Sequence, residues 1–150
     1  MGFQNSKLKN ATLENTPEWN LGTKPYYVKV LKVYDGDTIW VAIKLKGCIF
    51  KIKVRLYGID TPEMKPPRSK LNREEEIKKA KEARDYLASL INNKMIILKS
   101  EGFGKYGRVL GKLYLKRGCF CKTTYFDVNE EMINKGYATE YYGGIKKQNI

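Results

Sequence analysis

Apolar positions begin to alternate at Val28. Val28, Val30 and Val33 lead into "DGDT" (35–38), after which Ile39, Val41, Ile43 and Leu45 alternate with Thr38, Trp40, Ala42 and Lys44. A period of two places successive side chains on opposite faces, so this stretch predicts a strand, a tight Asp-Gly turn and a second strand. Beyond a turn at Lys46-Gly47, Cys48, Phe50, Ile52, Val54 and Leu56 share one face of a third strand. Lys51, Lys53 and Arg55 share the other, which turns Arg55 away from the core.

The period then changes. In "EMKPPRSK" (63–70), Pro66 and Pro67 remove backbone donors and restrict their predecessors, which predicts a surface loop. Over 71–94, Ile77, Ala80, Leu87 and Ile91 form a stripe at helical spacing, and Glu74 and Glu75 stand four residues before Lys78 and Lys79 on a solvated face. "MIILKS" (95–100) and "RVLGKLYLK" (108–116) predict two further strands around the Gly-punctuated "EGFGKYG". "DVNEEMINKG" (127–136) predicts a short helix, with Asp127 and Glu130 as a capping box and Gly136 as its stop. Three strands, a helix, two strands and a helix give a β-rich α+β domain: a five-stranded Greek-key barrel of the OB type with two helices. Residues 1–24 are polar and aperiodic, so the chain divides into a flexible arm (1–24), tacked down by Trp19, and a domain over 25–150.

Charge narrows the partner. Lys and Arg outnumber Asp and Glu by 29 to 16, a formal +13, which favours nucleic acid or an anionic membrane surface. Three cysteines (Cys48, Cys119 and Cys121) and no histidine argue against a disulfide framework and a structural zinc site, and the cysteines are expected to be buried in strands. No stretch has the length of a signal-peptide core or a membrane span, so a soluble, cytoplasmic monomer is expected. Gly2 and Ser6 fit the loose myristoylation pattern, although Phe3 is bulky for it; lipidation there would attach the basic arm to anionic lipid.

The chemistry concentrates in "VRLYGIDTPE" (54–63), which places Arg55, Asp60 and Glu63 within nine positions. A plain turn would explain "DTPE" if Asp60 capped a helix and Pro62 and Glu63 filled its first turn. No helical pattern follows, so there is nothing to cap. Strand pairing can bring Asp35 and Asp37 beside Asp60, forming a carboxylate cluster that calls for a cation. Asp37, Asp60 and a loop carbonyl suit calcium or magnesium, a carboxylate can orient or deprotonate water, and Arg55 with Arg108 can stabilise charge growing on phosphorus. Lys105 and Tyr106, beside Arg108 in "KYGR", are placed to meet phosphate and sugar.

"DGDT", "RLYGIDTPE" and "KYGR", in that order, resemble the staphylococcal nuclease-like (thermonuclease) family over roughly Tyr27 to Tyr142. The resemblance implies an OB-fold nuclease that uses calcium to hydrolyse DNA and RNA, favours single strands and leaves a 3′-phosphate. By motif position, Asp37, Asp60 and the carbonyl of Thr61 would bind the metal, and Glu63 would position or deprotonate the attacking water. Arg55 and Arg108 would grip the scissile phosphate, with Lys105 and Tyr106 on the nucleotide's terminal phosphate and ring side. Tyr141 or Tyr142, with Tyr142 the first candidate, would stack on the base. The family's C-terminal helix has too few residues here, "YYGGIKKQNI" (141–150), to form. The alternative is a catalytically silent single-strand-binding OB module, which needs basic and aromatic groups but not Asp37, Asp60 and Glu63.

Overall fold

The structure, a computed structural model, describes residues 8–118 and 122–143. Gly2 and Ser6, and Cys119 and Cys121, lie outside the described residues.

Strand β1 (Tyr26–Val33) pairs antiparallel with β2 (Thr38–Leu45), and β2 with β3 (Cys48–Leu56). The other edge of β1 takes β5 (Met95–Phe103), which pairs with β6 (Val109–Arg117). The ring closes where β6 lies parallel to β3, with Val54 opposite Val109 and Leu56 opposite Gly111. Closure removes the open edge at the seam itself, over Val54–Leu56 of β3 and Val109–Gly111 of β6. The seam is tight, since a Cβ on Gly111 would stand 2.9 Å from Val54 Cγ1.

The alternation expected of β1 and β2 is realised in burial: Val28, Val30, Ile39, Val41 and Ile43 fill the barrel with Leu98 and Leu113. Helix α1 (Arg73–Ile91) presents Ala80, Ala83, Leu87 and Ile91 to that core, with Ile77 only half-buried, and Glu75 pairs with Lys79 at 2.7 Å on the wet side. Helix α2 (Val128–Asn134) begins at Asp127, whose side chain accepts from the Glu130 amide at 3.0 Å, and stops before Gly136 at φ 75°.

Three elements go beyond the expected five strands: β4 (Gly58–Asp60), β7 (Thr124–Asp127) and β8 (Thr139–Tyr141). At three or four residues each they are too short for alternation to register. β7 extends the sheet beside β6, whereas β4 and β8 pair only with each other. The expectation of buried cysteines is corrected at Cys48, which is exposed because the β2–β3 hairpin runs beyond the barrel. Residues 19–21 are docked: Leu21 is buried in the core, its carbonyl accepts from Tyr26 Oη at 2.8 Å, and the Trp19 ring packs on Phe103 at 5.5 Å. Among the described residues no helix is long and apolar enough to cross a membrane.

Candidate active site

The "DGDT" turn is built by clearance. Gly36 has no positive φ, but a Cβ there would stand 2.9 Å from both Ala83 Cβ and the Thr61 side chain, so the bare backbone lets the turn close onto α1 and the "DTPE" loop. The Asp37 carbonyl accepts from the Leu56 amide at 2.8 Å, which fixes the end of the turn to β3. Asp37 is buried, and Thr38 Oγ1 donates to its Oδ1 at 2.9 Å.

Arg55, opposite Thr38 in the β2–β3 register, reaches into this turn. One terminal nitrogen, Nη1, donates to Asp37 Oδ2; the other, Nη2, donates to Asp60 Oδ1 at 3.0 Å and to the Ile59 carbonyl at 3.3 Å. The guanidinium thus joins two carboxylates eighteen and five residues away. Asp60 is held in place by the β4–β8 pair, where it faces Thr139. That same pair carries Tyr141 and Tyr142 to the site. The Tyr142 ring lies edge-on to Tyr57 at 5.7 Å and covers Gly58, whose φ of 79° and missing side chain permit the approach.

Asp35, Asp37, Arg55, Asp60, Thr61 and Glu63 line one cleft of about 470 Å³. Lys105, Arg108, Tyr141 and Tyr142 stand along it too. Glu63 is exposed, and its amide donates to Glu76 Oε1 of α1 at 3.5 Å. Arg108 is half-buried, with Nε donating to the Lys105 carbonyl at 3.4 Å across the 3₁₀ turn Lys105–Gly107. Of the residues singled out from the sequence, Tyr106 alone is not brought into this cleft. Its backbone is left-handed (φ 63°), and its ring, 93% exposed, lines a neighbouring cleft with Trp19 and Trp40.

The electrostatics are mixed. Burial, and next the charge of Asp37, push the Asp35 carboxyl up to about 6. Burial pulls the Arg55 guanidinium down, but Asp37 and then Asp60 pull it up further, so it stays charged. Part of the cation expected for the carboxylate cluster is therefore supplied by Arg55. Among the described residues no group of three or more His, Cys, Asp or Glu side chains converges as a metal site. The donors that do face the cleft, from Asp35, Asp37, Asp60 and Glu63, are hard oxygens. That chemistry fits a hard cation bound in an open site completed by carbonyl and water oxygens.

Asp35, expected beside Asp37 and Asp60, lines the cleft with them. Asn129 carries no mark in the sequence beyond its place in a short helix. Its side chain accepts from the Leu113 amide at 3.1 Å and donates to the carbonyls of Tyr57 at 2.8 Å and Gly111 at 3.1 Å, bracing the β3–β6 seam beneath the cleft. No periodic signal announces such a strut.

Comparison with known proteins agrees with this geometry. A family model described as "Staphylococcal nuclease homologue" matches residues 53–149. An uncharacterized protein, MJ1439, of Methanocaldococcus jannaschii is 31% identical over 136 residues, covering 81% of this chain and 62% of that protein. Endonuclease YhcR of Bacillus subtilis is 29% identical over 133 residues, 87% of this chain and 10% of its own length. An uncharacterized endonuclease of Escherichia coli is 28% identical over 123 residues, 82% of this chain and 66% of its own. The chain thus spans from a tenth to about two thirds of these relatives. With a closed five-stranded barrel, a cleft at the end of β3 holding the Arg55-centred carboxylates, and a match over 53–149, the chain belongs to the staphylococcal nuclease homologue family.

Proposed function

We propose that this domain is a calcium-dependent nuclease that hydrolyses phosphodiester bonds of DNA and RNA, prefers single strands and leaves 3′-phosphate ends. The observation that carries the reading is Arg55 held between Asp37 and Asp60 in a cleft that also contains Glu63 and Arg108. A module that only bound nucleic acid would gain nothing from carboxylates beside a phosphate path, where they repel the ligand.

Asp37, Asp60 and the Thr61 carbonyl would hold calcium, which would supply positive charge to a phosphoryl oxygen. Glu63, exposed at the mouth, orients a water and takes its proton as the water oxygen bonds to phosphorus. The bond from phosphorus to the 5′ oxygen breaks, and that oxygen takes a proton from solvent, leaving the phosphate on the 3′ side. Arg55 and Arg108 oppose the charge that grows on the phosphoryl oxygens. Among the described residues, the contacts with Asp37, Ile59 and Asp60 occupy three of the five Arg55 N–H groups, leaving two that can turn to substrate. Lys105 meets a neighbouring phosphate, and the exposed Tyr142 ring offers a face to a base.

The test is cleavage of end-labelled single-stranded DNA with calcium, with magnesium and with chelator, followed by identification of the ends. Calcium-dependent cleavage leaving 3′-phosphate is expected. DNA that is bound yet intact in every condition would overturn the nuclease reading in favour of a silent binding module.

A further inference from the structure

Residues of the segment 103–110 are shared between two clefts. Gly104, Lys105, Arg108 and Leu110 line the cleft described above, whereas Phe103, Tyr106, Gly107 and Val109 line a second of about 350 Å³. The turn is therefore a ridge with the candidate reaction centre on one flank and a different surface on the other.

That second surface is aromatic and basic. Trp40 of β2 faces Lys53 of β3 in register, and Lys53 Nζ lies 4.8 Å from the Trp40 ring centroid and 5.4 Å from that of Tyr34. Lys51 Nζ lies 5.1 Å from the same Trp40 ring. Across the cleft, Trp19, 64% exposed, packs on Phe103 with its ring centroid 5.5 Å away, and the Tyr106 ring projects from the ridge. A folded domain rarely leaves so many large rings at its surface unless something covers them. Among the described residues, no acidic side chain lines this cleft.

We infer that this second cleft is an extended subsite for single-stranded nucleic acid. It would hold nucleotides flanking the scissile bond by stacking bases on Trp19, Trp40 and Tyr106 and pairing phosphates with Lys51 and Lys53. The inference rests on the nuclease reading for the identity of the strand. Continuity across the Lys105–Tyr106 ridge connects the two surfaces, and the charge complements a polyanion. Flat rings select unstacked bases, which a duplex does not offer. The lysines now rest over rings, a weak cation–π arrangement from which they can turn toward phosphate and release the faces for stacking.

Trp19 and Trp40 are the chain's two tryptophans, so intrinsic fluorescence reports on this cleft. The full chain, in chelator, is titrated with dT12, dT2, a 12-base-pair duplex and polyglutamate. The subsite predicts quenching by dT12, with a Kd about tenfold below that of dT2, and little quenching by the other ligands. The double variant Lys51→Ala/Lys53→Ala should weaken dT12 about tenfold and reduce the salt slope by about 1.4, the loss of two phosphate contacts to a single strand. Tyr106→Ala, at a side chain too exposed to disturb folding, should weaken dT12 about fivefold. Absence of quenching by dT12, equal quenching by duplex or polyglutamate, or unchanged affinity in these variants would overturn the subsite. Cleavage of dT12 with calcium, measured separately, keeps the two claims distinct: cleavage without quenching leaves the nuclease and removes the subsite. Quenching without cleavage does the reverse.

Discussion

Arg55 and Asp37 hold one another across the β2–β3 pair, with the guanidinium donating to Asp37 Oδ2 while the next amide, Leu56 N, donates to the Asp37 carbonyl at 2.8 Å. Side chain and backbone thus fix the same acidic residue from the same strand, and the second guanidinium nitrogen fixes Asp60. The side chains of Arg55, Asp37 and Asp60 are 16%, 9% and 18% exposed, so removing the shared cation leaves two poorly solvated carboxylates facing each other. Arg55→Ala should lower stability by about 3 kcal/mol. If Asp37 and Asp60 are the calcium ligands, millimolar calcium should restore part of that loss. Urea unfolding with and without calcium checks both statements, and a variant indifferent to calcium would separate these carboxylates from metal binding.

Asp35 gives the molecule a pH dependence with a definite sign. Its carboxyl is pushed up to about 6 from 3.8, by burial and then by Asp37, so the folded state holds this proton more tightly than the unfolded chain. Its contribution to stability is complete below about pH 4 and is lost as pH rises through about 6. After allowance for solvent screening, the loss is about 1 to 2 kcal/mol. Asp35→Asn should flatten this slope in urea titrations between pH 4 and pH 7. Cation binding should strengthen over the same interval, because the deprotonated carboxylate attracts it.

Gly36 and Asn129 support the site from beneath. A methyl group at Gly36 would press on Ala83 and Thr61, both 2.9 Å from the added carbon, and overpacking of this kind costs about 1 to 3 kcal/mol. Gly36→Ala should therefore lower Tm and, by displacing the turn that carries Asp37, lower cleavage as well.

Asn129→Ala should cost about 2 to 3 kcal/mol, since it leaves the Leu113 amide and the Tyr57 and Gly111 carbonyls without their side-chain partner. Thermal melts of the two variants, set beside calcium-dependent cleavage, separate these effects. Asn129→Ala is expected to melt earlier while retaining activity at low temperature.

Much of the fold was legible because long strands and a long helix carry periodic patterns. Val28 to Leu45 and Ala80 to Ile91 announce both element and buried face. The barrel's closure was legible only as an order of elements. The parallel β3–β6 seam joins Leu56 to Gly111, residues far apart in the chain, and depends on a glycine clearance that no pattern reveals. The β4–β8 pair is three residues long, so the placement of Tyr141 and Tyr142 emerges only from the fold. At the site, "DGDT" and "RLYGIDTPE" located Asp37, Arg55, Asp60 and Glu63, and the structure brings all four to one cleft. Their pairing was not legible, because spacing along a chain does not say which carboxylate a guanidinium reaches. Tyr106 went elsewhere because its left-handed backbone turns its ring across the ridge.

The proposed hydrolytic centre depends on Glu63 handling the attacking water. Its most direct test is single-turnover cleavage of single-stranded DNA by Glu63→Gln beside the unaltered chain, in calcium, with DNA binding measured in chelator. Glu63 is exposed, so this near-isosteric change leaves the fold intact. A fall in the cleavage rate of at least about 100-fold is expected, with DNA affinity unchanged. Cleavage by Glu63→Gln at close to the unaltered rate would contradict it.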